Sequence, residues 1–302
     1  ASLSVGLSSS SSAGASGSCS VPSARAAPTP APAGQLHQSS SSLSGLPSWL
    51  ADKGKLRQGK VVLYLFAGAK RQRDIAAFMR ILCMSEFQEA VHFIEFDLTR
   101  CPTHDLSKEQ LQREIKQAIQ DGLIHAVILS PPCSSWSRAL FNQLVKGPRP
   151  LRSQRHPWGF PWLSGLKKAL IDKANVLTKF ALEVAELCGI SGVAFILEHP
   201  EDLGRYKTGA RPASIWQLPE LRSLSERFGA VRRVLHQRHW GAASPKPTAF
   251  IATLPLHKDF GVEGWPNFDS QGFYKGPLKR IKSKPMTMGP GITSTTAAYP
   301  PK

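Results

Sequence analysis

The chain has 302 residues, room for one large α/β domain or two small ones, and its 41% hydrophobic and 20% charged residues exclude a chain disordered throughout. Lys and Arg number 38 against 21 Asp and Glu, a net charge of +17. That excess points to a polyanionic partner such as nucleic acid, with an anionic membrane surface as the alternative.

The 5 cysteines (Cys19, Cys83, Cys101, Cys133, Cys188) are odd in number and scattered, with no CxxC pair. This argues against a disulfide framework and a zinc knuckle, and for a reducing intracellular compartment, the nucleus first and an organelle second. No apolar run approaches the roughly 18 residues of a membrane span, so none is expected.

Residues 1–48 are Ser-, Ala-, Gly- and Pro-rich, with Arg25 the one basic residue before Pro47. Such a stretch cannot offset its ordering entropy and is expected to be a disordered tail. A plain linker is preferred to an organelle transit peptide, which carries more Arg. Without an initiator Met the sequence reads as a fragment or processed product. Residues 49–268 form the expected α/β domain. From about Asp269 the composition turns basic and irregular, and 269–302 reads as a tail that attracts phosphates non-specifically.

Within the domain, strand and helix alternate. Val61–Phe66 is an apolar run ending in Ala-Gly, as in a buried parallel strand. Ile75, Phe78, Met79 and Leu82 then mark the apolar stripe of a helix packed on a sheet. Val91–Asp97 reads as a second strand with acids at its end. Ser107 and Gln110 form a capping box for a helix through Leu111, Ile115, Ala118 and Ile119. The strand Ala126–Leu129 leads into Ser130-Pro131-Pro132-Cys133. A long helix over about 166–187 has Gly189 as its expected stop. The strand Val193–Leu197 runs into Glu198-His199-Pro200, and Pro219 opens a helix closed by Gly229. Two further β-like runs cover 231–237 and 248–254. Repeated βα units imply a mostly parallel sheet with helices on both faces, whose ligands bind beyond the carboxyl ends of the strands. Gly68, Glu95, Cys133 and Glu198 all fall at such ends.

Ser130–Ser137 is the most informative segment. Two prolines after a strand form a stiff turn that holds the next side chain, the Cys133 thiol, at the strand tip. A thiolate there serves as a nucleophile where positive charge, from Arg138 or a helix N-terminus, lowers its pKa. Cys83, Cys101 and Cys188 lack that setting and are expected to be buried structural cysteines.

At these residues the sequence resembles the cytosine-C5 methyltransferases, which use S-adenosylmethionine to modify cytosine in DNA and, in one branch, in tRNA. The resemblance covers about Lys60 to Pro255 and rests on ordered motifs. Leu65-Phe66-Ala67-Gly68 is similar to the cofactor loop, Glu95-Phe96-Asp97 to the ribose-binding edge, Pro131-Pro132-Cys133 to the nucleophile loop, and Glu198 to the catalytic glutamate. It implies a class I methyltransferase (Rossmann-like) fold. It also implies methyl transfer to carbon 5 of cytosine in nucleic acid, DNA before RNA, through a covalent Cys133 adduct with Glu198 at the N3 edge. A target base in a duplex has to be flipped out.

The resemblance further implies a cofactor site built from Phe66, Ala67, Gly68, Glu95, Phe96, Asp105 and Pro131. Glu95 accepts the ribose hydroxyls in this reading. Phe96 stacks on adenine or is an ordinary core residue, and Asp105 meets the adenine amino group or is a loop acid before Ser107. Lys70, Arg71 or Arg73 pairs with the cofactor carboxylate or forms a solvated basic face. The sequence departs from the family in the basic run after Gly68, in Tyr64 where the strand often carries an acid, and in Lys246-Pro247-Thr248 where two arginines are usual.

No acid lies between Ser137 and Ile171, while Arg138, Lys146, Arg149, Arg152, Arg155, Lys167 and Lys168 accumulate around His156-Pro157-Trp158-Gly159-Phe160-Pro161-Trp162. Basic groups track phosphates and exposed aromatics stack on bases, so Arg138, Arg149, Arg152, Arg155, Trp158 and Lys246 are the expected nucleic-acid contacts. The rival reading is a solvated insertion whose tryptophans cover the core. His236 and His239 are expected on the surface, not as metal ligands, and no metal site is expected. Two further readings of the whole stay open: a catalytically inactive nucleic-acid-binding module of this fold, alone or as part of a mobile-element polyprotein, and a cysteine hydrolase, which needs an orienting His beside Cys133.

Overall fold

In the computed structural model of the chain, residues 59–279 are described, apart from 72–73, 88–89, 143–146, 207–208 and 243. The expected tail 1–48, Cys19, Arg73, Lys146 and the basic residues beyond Lys279 lie outside the described residues.

Seven strands form one mixed sheet: β1 (Lys60–Leu65), β2 (Val91–Phe96), β3 (Ala126–Leu129), β4 (Ala194–Pro200), β5 (Val231–His236), β6 (Pro247–Ala252) and β7 (Val262–Glu263). Their order is β2-β1-β3-β4-β6-β5-β7. The pairs β1–β2, β1–β3 and β3–β4 are parallel, while β6 runs antiparallel to both β4 and β5. The α/β class with a mostly parallel sheet is thus present. Its apolar runs supply the core: Leu63, Leu65, Val127, Leu129, Phe195 and Leu197 are fully buried. Four helices are described: α1 (Ile75–Leu82), α2 (Glu109–Gln120), α3 (Gly165–Ile190) and α4 (Pro219–Phe228). From α3, Phe180, Ala181, Val184, Ala185 and Cys188 join the same core.

Register sets where the site lies. Leu65 pairs with both Phe96 and Leu129, and Leu129 pairs with Leu197, so the parallel pairing of four strands ends at one level, with β4 running on against β6 to Pro200. The chain leaves β1 for β2 on one side and then β3 on the other, and in open α/β sheets such a reversal marks where ligands bind at the carboxyl edge. Gly68, Glu95, Cys133 and Glu198 are all at that edge or just past it.

Four local expectations are corrected. Ile75 and Phe78 do not face the sheet: they are 43% and 59% exposed, and α1 buries Ala76 instead. Asp74 caps the helix through Ala77 N and is held by Arg100, which fixes the rotation of α1 about its axis. The capping box is not formed, because the Ser107 hydroxyl donates to Asp105 and α2 starts two residues later. Gly189 does not stop α3. The helix runs on to Ile190, and a Cβ at Gly189 would come within 2.5 Å of the Phe228 ring, so the glycine serves the packing of α3 on α4. The stretch from Asp269 is not irregular as far as it is described. Strand β9 (Tyr274–Gly276) pairs with β8 (Asn267–Phe268), and Leu278 is buried.

That last segment is tied in by charge. Arg232 on β5 and Glu201 just after β4 form an ion pair with both side chains fully buried. The Tyr274 hydroxyl donates to Glu201, and Leu278 N–H donates to the Tyr274 oxygen. Arg232 also lies over the Trp216 ring at 4.4 Å. A short sequence of low apolar content is thereby held through one buried ion pair.

Candidate functional site

Cys133 follows Pro131 and Pro132 and starts a single 3-10 turn, Ser134–Trp136. The Ser130 N–H still donates to Leu65 O, so the strand ladder extends one residue before the prolines end it. Pro131 is buried, while Cys133 is half-buried and unbonded to another cysteine. On the neighbouring strand Glu198 follows Leu197, the register partner of Leu129. The thiol and carboxylate therefore project from adjacent strand ends.

Electrostatics link them. Burial pushes the Cys133 thiol up, the Glu198 charge pushes it further, and Lys246 opposes both. Lys246, one residue before β6, has a left-handed φ of 26°, and its carbonyl accepts from Gln237 N–H and the Thr248 hydroxyl. The sequence reading placed Lys246 on nucleic acid; the fold puts its charge within reach of the thiol. Tyr64 has its hydroxyl raised by burial, and the Glu198 charge adds to that against a hydrogen bond with Ser130.

Behind the loop that carries Cys133 lies a second, internal cation. Arg152 is fully buried, donates to Ser135 Oγ at 3.0 Å and Pro157 O at 2.8 Å, and stacks 3.8 Å over Trp136. Burial lowers it to about 9. It braces the turn after Cys133 and cannot reach a phosphate from there, which corrects its expected role. His199 is also buried, edge-on to Trp136 at 6.2 Å, and burial with the nearby Arg152 and Lys246 charges brings it down to about 3. Both effects favour the neutral imidazole.

Arg138 is committed as well. It donates to the carbonyls of Gly204 and Arg205, both at 3.0 Å, and its guanidinium lies 3.9 Å over the Tyr206 ring. The loop after Cys133 is thus joined to the loop after Glu198. Trp158 packs against the core and meets Trp136 edge-on at 6.0 Å, and its carbonyl accepts from Asn175. Arg149 and Arg155 are exposed. Of the expected nucleic-acid contacts, these two stand in solvent, whereas Arg138, Arg152 and Trp158 hold the loop together.

At the expected cofactor end the geometry is mixed. Phe66 takes a left-handed φ of 63°, turning the chain sharply after β1, and Ala67 is buried. The Gly68 N–H donates to Asp97 at 2.9 Å, and its carbonyl accepts from Arg100 at 2.7 Å. The backbone that should approach a cofactor is engaged within the protein. Arg100 also pairs with Glu95 Oε2 at 3.0 Å. The other Glu95 oxygen is buried without a hydrogen-bond partner, an acceptor of the kind a ribose hydroxyl would meet. Phe96 is 1% exposed in the core, beside His104, so it has no free face for adenine. Asp105 accepts from Ser107 N–H and Oγ and lies 3.7 Å from Lys173, which makes it a loop acid. The residues thus fit S-adenosylmethionine at the ribose edge and not at Gly68.

The other cysteines and histidines differ in part from expectation. Cys83 and Cys188 are buried, and burial pushes Cys188 up to about 12. Cys101 is only half-buried, its sulfur 3.0 Å from Thr103 Oγ1. His236 is buried, not on the surface, and shares a hydrogen bond with Lys279 O at 2.9 Å. Among the described residues no group of three His, Cys, Asp or Glu is placed to hold a metal, and no helix is long and apolar enough to cross a membrane.

Arg100, the Tyr64–Ser130 contact and the Arg138 clamp are not legible in the sequence, because each acts through a partner on another strand or loop. Compared with known proteins, the chain matches no family model, no curated protein and no solved structure.

Proposed function

We propose that the chain methylates carbon 5 of cytosine in nucleic acid, with Cys133 as nucleophile and Glu198 as its carboxyl partner. One observation carries the reading: a thiol and a carboxylate at adjacent carboxyl ends of parallel strands, close enough for the charge of one to shift the other. The sheet adds support, since its strand order reverses at β1, where open α/β sheets bind ligands beyond their carboxyl ends. The excess of basic residues favours a nucleic-acid substrate.

The chain's part in the chemistry is to make carbon 5 nucleophilic. The Cys133 thiolate adds to carbon 6, forming a C–S bond and moving the ring electrons towards carbon 5. A proton held by Glu198 at N3 stabilises that adduct. S-adenosylmethionine would supply an electrophilic methyl group when bound, and in this reading the unpartnered Glu95 oxygen accepts from its ribose hydroxyls. After carbon 5 is alkylated, its proton passes to water while the C–S electron pair returns to sulfur, restoring the ring and the thiolate.

The test is covalent trapping on a 5-fluorocytosine oligonucleotide with the cofactor present, where the missing carbon 5 proton blocks release. Wild type is expected to form the adduct and Cys133→Ala to form none. Absence of an adduct from both proteins overturns the reading.

The engaged Gly68 peptide favours a second reading, a nucleic-acid-binding module of this fold without methyl transfer. Titration calorimetry separates the two: saturable S-adenosylmethionine binding supports the enzyme. Its absence, alongside tight and salt-sensitive oligonucleotide binding, supports the module.

A further inference from the structure

The two tryptophans of His156–Trp162 go opposite ways. Trp158 points inward to the core, whereas Trp162 is 69% exposed. Trp162 is also not a loose side chain. Its ring stacks on Phe160 with centroids 4.7 Å apart and 8° between planes. His156 meets both rings edge-on, at 6.0 Å to Phe160 and 5.9 Å to Trp162.

The backbone beneath is fixed at several points. Phe160 N–H donates to Leu151 O, Gln154 N–H to Arg211 O, and the buried Arg152 holds Pro157 O. A flat aromatic surface kept rigid and left in water is a preformed contact: a ligand that stacks on it loses little ordering entropy. Cations flank it in the sequence. Arg155 directly precedes His156, and Lys167 lies in the first turn of α3; both are exposed and neither makes an ion pair among the described residues. No acid occurs from Ser137 to Ile171. A π-surface flanked by uncompensated cations fits a base followed by its phosphates better than an apolar protein segment.

We propose that Phe160 and Trp162 form a stacking platform for an unpaired base, with the adjoining phosphates running along Arg155 and Lys167. The inference rests on the nucleic-acid reading above and adds the mode of recognition: stacking on single-stranded or extruded nucleotides, independent of base identity.

The test measures binding of the full chain to a fluorescent single-stranded deoxyoligonucleotide, and to the same strand with abasic sites, at one fixed salt concentration. Trp162→Leu keeps the apolar surface and removes the ring, while Trp162→Phe keeps a ring. Stacking contributes on the order of 1–3 kcal/mol per base, so Trp162→Leu should weaken the base-bearing strand about 5- to 150-fold. It should leave the abasic strand unchanged, and Trp162→Phe should retain most of the affinity. Equal thermal melting of the three proteins is expected from so exposed a side chain, which keeps folding out of the comparison.

Wild-type affinity of Trp162→Leu for both strands overturns the proposal. So does an equal loss on both strands, or a loss of self-association in its place, since Leu166 and Leu170 are exposed nearby. Trapping at Cys133 reads out the other proposal separately. A chain that distinguishes bases from abasic sites yet forms no adduct keeps the platform and loses methyl transfer, and the converse result removes the platform alone.

Discussion

Arg138 tests whether the nucleophile and the carboxylate are held as one unit. Its two hydrogen bonds, to Gly204 O and Arg205 O, and its stacking on Tyr206 link the loop after Cys133 to the loop after Glu198, beside the bond from Gln154 N–H to Arg211 O. A hydrogen bond from a charged group contributes about 1.5–3 kcal/mol and a partly exposed cation–π contact about 0.5–1. The low end applies because Arg138 is half-buried, which gives about 3–4 kcal/mol for its removal in Arg138→Met. For a domain of roughly 150–250 residues, that lowers Tm by about 6–16 °C. Loosening the loop also displaces Sγ, and about 1 Å at a reacting atom costs on the order of 100-fold in rate. Scanning calorimetry and the rate of 5-fluorocytosine adduct formation read the two effects. Arg138→Lys should rescue little, because an ammonium cannot fork to two carbonyls or stack as a plane. If Arg138→Met melts with wild type and forms adduct at the same rate, or if Lys restores both in full, the clamp is not what aligns the site.

The charges at the thiol give a second test, read by mass spectrometry of iodoacetamide labelling at Cys133 as a function of pH. Glu198→Gln removes a charge that raises the thiol, so its labelling profile should move to lower pH. Lys246→Met removes the charge that lowers it, so that profile should move to higher pH. Profiles that stay together refute the contact. Arg232→Met leaves Glu201 buried without its cation and should cost about 3–5 kcal/mol in urea unfolding, whereas Arg232→Met with Glu201→Leu should recover much of it. A loss below about 1 kcal/mol in the single variant would show that the C-terminal segment is not anchored there.

The strands that place the site could be read from the sequence because buried parallel strands are unbroken apolar runs, as in Val61–Phe66 and Val193–Leu197. The site residues just past each run were legible too, since polar side chains at strand ends stand out against such composition. Facing was harder. The Ile75–Leu82 stripe has helical period, yet Asp74 and Arg100 turn it outward, and no local pattern encodes an ion pair across 26 residues. Arg152 illustrates the same limit. A basic residue in an acid-free, aromatic segment looks like a phosphate contact, and only the fold reveals Trp136, Ser135 and Pro157 around it. Glycine misled in the opposite sense: at Gly189 its use is the missing side chain, not the left-handed backbone that ends a helix. The segment around Tyr274 carried no periodic signal, since one hydroxyl and one strand pair do the anchoring.

A carboxylate that holds a thiol in its protonated form looks ill-suited to a nucleophile, but the proposed reaction needs both groups in the opposite state. Addition to carbon 6 requires a thiolate at Cys133, and stabilisation at N3 requires a proton on Glu198. Moving one proton from sulfur to carboxylate supplies both, and the pair keeps a single negative charge beside Lys246 throughout. The repulsion that raises the thiol exists only while Glu198 is ionised, so protonation of Glu198 removes the obstacle to forming the thiolate. Glu198→Gln separates the two functions. An amide exerts no charge on sulfur and holds no transferable proton, so the variant should label faster at Cys133 while losing the adduct with cytosine. Faster labelling with adduct formation intact would mean that Glu198 acts on the thiol alone and that the proton at N3 comes from another group.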